Sequence, residues 1–150
     1  MYLWKINNLV SELRKESLTQ ENFKNYYLVS SVIVILSAYV MALYTPTNLT
    51  HNWADAIGTI LVTIIGLNLA FKANGGNTGS HFLNKTISIY VPLTIRITVA
   101  STLVIIPLVV LELFFSVRIS EEWFLSILTL SLNIIFFWRL FVHLKNTNIK

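Results

Sequence analysis

The chain has 150 residues, of which 55% are hydrophobic and 12% charged, with a formal net charge of +4. A soluble domain carries about 25% charged residues, so this composition excludes an ordinary water-soluble globule and points to one compact domain whose surface faces lipid. Cysteine is absent, which excludes disulfides, thiolate metal sites and thiol catalysis.

The first predicted element covers residues 2–16. At 100° per residue, Tyr2, Leu3, Ile6, Leu9, Val10 and Leu13 fall within an arc of ~120°, and Lys5, Glu12, Arg14, Lys15 and Glu16 lie outside it. This is an amphipathic helix, expected along the inner leaflet or against the other helices. The sharper alternative is a moving element or a docking surface for a partner. Ser17 or Thr19 is expected to cap the next helix, Ser17 with Gln20 matching a capping box. Residues 1–22 lack the continuous apolar core of a cleaved signal peptide.

Four long apolar stretches follow, at about 23–44, 53–71, 92–115 and 123–142. About 20 apolar residues in a helix cross a bilayer, so each is a predicted span. Pro46 stops the first. The second carries Ala54, Gly58, Gly66 and Ala70 in a register of four interrupted by Val62. Small residues so spaced let two helix backbones approach closely, either within the chain or at the seam of a homo-oligomer. Asp55 sits in the first turn of that span, where a carboxylate favours the positive end of the helix dipole.

Between the second and third spans runs Asn74-Gly75-Gly76-Asn77-Thr78-Gly79-Ser80-His81. It matches neither the P-loop nor the dinucleotide fingerprint, and reads as a flexible turn or, alternatively, a ligand-cradling loop. In the third stretch, Pro92 is expected to begin the span, with 87–91 as an interfacial lead-in. Pro107 is expected to kink it, because proline lacks the backbone donor and clashes one turn back. The predicted fold is all-α: a four-transmembrane-helix bundle, up-down, with an N-terminal amphipathic interfacial helix. Short outer connections make spans one and two, and spans three and four, expected neighbours.

Orientation follows from charge. Lys5, Arg14, Lys15, Lys24, Lys72, Lys85, Arg139, Lys145 and Lys150 fall on one side of the four spans, Arg118 alone on the other, and Arg96 within a span. The positive-inside rule then places both termini in the cytoplasm. Tyr26, Tyr27, Tyr90 and Trp138 are expected at the inner interface, and Tyr44, Trp53, Trp123 and Phe124 at the outer one. The basic residues lie at the ends of spans, where topology accounts for them, so no nucleic-acid partner is implied.

Arg96 is the sharpest single residue. A charge inside a span costs ~2.5–3.5 kcal/mol at the bilayer centre, although a long side chain near the interface reaches the headgroups. Asn68, Arg139 and His143 fall at matching depth. Together these four form an expected lipid- or anion-binding layer, since basic groups near the inner leaflet attract anionic headgroups. Asp55 and Glu112 lie toward the opposite face, with no evident partner in the sequence. Thr98 and Ser101, with Ser126, Thr129 and Asn133, form a second candidate set, either hydrogen-bonded between helices or lining a hydrated polar path.

Enzyme templates fail. His51, His81 and His143 form no metal-ligand spacing with carboxylates, and no nucleophile elbow occurs. No metal or cofactor is expected. The segments Lys5-Ile6-Asn7-Asn8-Leu9-Val10-x-x-Leu13-Arg14 and Pro92-x-x-Ile95-Arg96, the latter after a glycine-rich loop, resemble small bacterial four-span inner-membrane proteins of no established activity. The resemblance implies a bacterial inner membrane and carries no catalytic residue. The functional expectation is a non-enzymatic, homo-oligomeric membrane sensor or scaffold binding anionic lipid or a protein partner, the alternative being a small oligomeric channel or membrane-permeabilising effector.

Overall fold

The computed structural model describes residues 2–42, 49–115 and 122–148. Within them the chain is all-α. Five helices run α1 (Ile6–Arg14), α2 (Gln20–Ala42), α3 (Leu49–Ala73), α4 (Phe82–Phe115) and α5 (Glu122–Asn148), with a 3-10 turn at Gly76–Thr78. Among the described residues three stretches are long and apolar enough to cross a membrane: Trp53–Ala73, Phe82–Leu108 and Ser126–Asn148. Tyr44, Pro46, Arg118, and the side chains of His51, Glu112 and Trp123 lie outside the described residues.

The helices do not pack in the expected pairs. α3 lies along α5, α5 along α4, and α4 along α2. The spatial order is therefore α2, α4, α5, α3. Consecutive α2 and α3 share no comparable contact among the described residues. The neighbour expected for spans three and four holds, and that for spans one and two does not. The reason is visible on α3, whose small residues meet α5. A Cβ on Gly66 would fall 2.3 Å from Phe137 Cγ, and one on Gly58 would fall 3.2 Å from Leu130 Cδ1. Ala70 is fully buried, whereas Ala54 is exposed. Gly58 and Gly66 thus pack against α5 within the chain, because only residues this small admit the α5 backbone so closely, and Ala54 does not join them.

α4 is longer than expected. It begins at Phe82 and runs through Pro92 and Pro107. Its 34 residues at ~1.5 Å rise make about 50 Å, against a hydrocarbon core of about 30 Å. Pro92 does not start it. Pro92 is instead fully buried in its first half, beside Ser88, Ile89 and Val91. Proline removes a helical donor, so the Ser88 carbonyl loses its usual partner.

The buried side chains gather at the α1 end. Ile6, Leu9, Val10 and Leu13 of α1 form one cluster with Tyr26, Ala70, Ile89, Val91, Leu93, Leu140 and Leu144. Of the apolar face read from the sequence over residues 2–16, Ile6, Leu9, Val10 and Leu13 turn inward against α4 and α5, while Tyr2 and Leu3 precede the helix and Leu3 is exposed. Polar ties fasten it there. Arg14 donates from Nε and Nη2 to the Asn146 carbonyl at 3.0 and 2.7 Å, and the Tyr2 amide donates to the Tyr26 hydroxyl at 2.7 Å. Tyr26, expected in an interfacial belt, is fully buried by this contact, while Tyr27 and Trp138 are exposed.

Thr19 supplies the cap of α2, its Oγ1 accepting from the Asn22 amide at 3.3 Å. Ser17 turns back to the Glu12 carbonyl at 3.1 Å and to the Glu12 carboxylate, so the Ser17–Gln20 capping box does not form. The glycine-rich segment folds on itself. Gly75 takes φ +93°, and a Cβ on Gly79 would fall 1.8 Å from the Asn74 carbonyl oxygen. Only glycine fits either position, which makes the segment a tight turn.

Candidate functional site

Two places in this frame concentrate polar groups. The first is at the α1 end. Arg139 and His143 stand four residues apart on α5, hence on one face. The charges acting on His143 come from Arg139 and from Arg96 across on α4, with no carboxylate among them. Arg96, Arg139 and His143, expected at matched depth, are near enough for both arginine charges to be felt at His143. Asn68 does not join them by hydrogen bonding. It is exposed, and its amide donates to the Ile64 carbonyl one turn back at 2.9 Å.

Arg96 has a partner the sequence did not reveal. Its Nη2 donates to the Trp4 carbonyl, and its guanidinium carbon lies 5.5 Å from the centroid of the Trp4 ring. Cation–π attraction at this range adds to the hydrogen bond. Arg96 Nε is buried with no acceptor. The segment leading into α1 thus lies over Arg96 and leaves part of its donor set unused.

Behind this cluster the α5 C-terminus forms a second junction. Lys85 is 4% exposed, and its Nζ donates to Asn148 Oδ1 at 3.3 Å. Asn148 Nδ2 donates in turn to the Ala73 carbonyl at 3.0 Å, capping α3. Asn148 therefore joins α3, α4 and α5. Lys85 and Asn148 carry no signal in sequence, because their separation marks no motif.

The second place is a groove where α3 and α4 flank α5, midway along the three membrane-length helices. Thr63, Tyr90, Thr94, Thr98, Thr129 and Asn133 line it, together with apolar residues, around a volume of about 420 Å³. Tyr90 and Phe136 close one end edge to face, their centroids 5.4 Å apart. Of the expected polar path, Thr98, Thr129 and Asn133 are brought together here. Ser101 donates to the Thr98 carbonyl at 2.9 Å, and the Asn133 amide donates to the Thr129 carbonyl at 3.0 Å. Ser126 is drawn elsewhere. Its hydroxyl donates to Asp55 Oδ2 at 2.7 Å, tying α5 to α3. Asp55, which the sequence left without a partner, has one.

The chain matches no protein-family model, no curated protein and no solved structure. Function is read from these two places alone.

Proposed function

We propose that the chain is a non-enzymatic membrane sensor or scaffold that binds an anionic lipid headgroup at Arg96, Arg139 and His143. On this reading α2 is the fourth span, both termini are cytosolic, and the membrane is a bacterial inner membrane. The protein works as a homo-oligomer, displaying its α1 end to a protein partner. Gly58 and Gly66 of the α3 ridge are occupied by α5, so the oligomer uses another face.

One observation carries this: Arg96 is shared between the cluster and the segment leading into α1. A headgroup phosphate is a stronger acceptor for guanidinium than a neutral carbonyl. Its arrival competes with Trp4 for Arg96 and loosens the entry to α1. Occupancy of the lipid site is thereby relayed to a cytosolic element. The test is native mass spectrometry from nanodiscs containing phosphatidylglycerol. Wild type should retain the anionic lipid, and Arg96→Gln with Arg139→Gln should lose it. Equal retention by the double variant sinks the reading.

A second reading, a small oligomeric channel, is favoured by the groove holding Thr98, Thr129 and Asn133. It requires ion flux in liposomes that falls in Asn133→Leu.

A further inference from the structure

The mid-membrane groove has a property that neither reading uses. Thr94 and Thr98 line it, and they also line a second space of about 490 Å³ on their other side, between α4 and α2. The two spaces share a wall but differ in chemistry. The first gathers the hydroxyls of Thr63 and Thr129 and the Asn133 amide. The second is mostly apolar, with Ile33 and Leu36 of α2 facing Ile95 and Val99 of α4, and the Ser37 hydroxyl that also lines it donates to the Ile33 carbonyl of its own helix at 2.8 Å. No charged residue lines either.

Thr94 Oγ1 is buried without a hydrogen-bond partner. In a bilayer such a group has no water to turn to, and leaving it unmet is costly. A polar ligand atom would meet it. Water alone suits the first space but not the second, since apolar cavities stay dry. An ion or a charged headgroup suits neither, because no charged side chain lines them and the Arg96 guanidinium at this depth is turned to Trp4. Both volumes lie within the range of small-molecule sites.

We propose that these adjoining spaces bind one uncharged lipid. Its hydroxyl- or carbonyl-bearing head sits among Thr63, Thr94, Thr129 and Asn133, and one of its hydrocarbon chains lies between α2 and α4 while any other extends into the bilayer. Diacylglycerol has this chemistry: a hydroxyl to donate, ester carbonyls to accept, and no charge. The proposal rests on membrane insertion of α3, α4 and α5 and on the reading of α2 as a fourth span, and does not use the headgroup site at Arg96.

The test uses full-length protein in phosphatidylcholine nanodiscs with a diacylglycerol carrying a photoactivatable group in its chain. Labelling should concentrate on the facing segments 33–37 and 95–99 and be displaced by unlabelled diacylglycerol. Each hydrogen bond removed should weaken labelling ~3–10-fold, so Thr94→Val with Asn133→Leu should nearly abolish it. Thr94→Ser, which keeps the hydroxyl, should label like wild type, and Arg139→Gln should not matter. An equally labelled photoactivatable phosphatidylglycerol would overturn the proposal. So would labelling spread over Ile57, Leu103 and other lipid-facing positions, or labelling unchanged in the double variant. Unfolding of each variant in the same nanodiscs separates a lost site from a lost fold, and Thr94→Ser keeps the question open should the double variant fail to fold.

Discussion

The α1 end and the middle of the helix row are held by different forces. At the α1 end, four helical elements bury Ile6, Leu9, Tyr26, Ile89 and Leu144 completely, and Arg14 and Tyr2 tie α1 down. In the middle, large apolar side chains such as Ile60, Leu103, Ile106 and Ile134 stand exposed, and contact between helices depends on glycine and on single polar bonds. Burial of apolar groups drives association only when the alternative is water. Where the alternative is lipid, helices associate by close packing and hydrogen bonds instead. One chain thus uses a water-type core at one end and membrane-type contacts along its middle.

The largest effect should come from opening that core. Leu9 is fully buried in the α1 cluster, and truncating such a leucine costs about 2–5 kcal/mol. Leu9→Ala should lower the unfolding midpoint in mild detergent and release hydrogen-exchange protection across residues 6–14. Leu103→Ala, at a position 70% exposed, should change little. Equal effects from the two would erase the distinction between the ends.

A smaller effect should come from the glycines of α3, which sharpen the comparison because they differ from each other. At Gly66 an added Cβ meets the ring and the Cβ of Phe137, at 2.3 and 2.7 Å. Those atoms sit near the α5 backbone and cannot swing away. Gly66→Ala should cost about 1–3 kcal/mol through overpacking. At Gly58 the nearest atom is a methyl at the flexible end of Leu130, 3.2 Å away. There a small adjustment suffices, and alanine recovers up to ~1 kcal/mol of helix propensity. Gly58→Ala should be neutral or stabilising. Steric-trap or detergent unfolding of the two variants would show it, and similar losses at both would mean that α3 and α5 are not in this register.

This pair also shows what was legible in advance. The register of Ala54, Gly58, Gly66 and Ala70 can be seen in sequence, because small residues four apart share a face. Their partner cannot, because every apolar helix offers the same kind of surface. For that reason the expected neighbours α2 and α3 gave way to α3 and α5. The inward face of α1 was readable from the spacing of Ile6, Leu9, Val10 and Leu13. Its contact with Arg96 was not, since that bond uses the Trp4 carbonyl, which every residue possesses. Arg96, Arg139 and His143 were grouped by depth alone, because rise per residue is constant. Asn68 matched equally well and turned back to its own helix, since depth specifies neither azimuth nor rotamer. Pro92 misled for a related reason. Its effect on a helix depends on what packs around it, and here it lies in the core.

The smallest predicted effect tests the polar side of the comparison. Ser126 on α5 donates to Asp55 on α3 at 2.7 Å, and the serine is 9% exposed. Hydrogen bonds between membrane helices average ~0.6 kcal/mol and reach ~1.7 at most. A double-mutant cycle over Ser126→Ala and Asp55→Ala should therefore return a coupling near the lower figure, less than the loss at Gly66. Truncating either group alone also disturbs its other contacts, so the single losses overstate the bond and only the coupling measures it. A coupling above the loss at Gly66→Ala would reverse the order proposed for the middle of the molecule. Polar ties, rather than the close approach of α3 and α5, would then hold the row together, and the glycines would serve only to let Ser126 reach its acceptor.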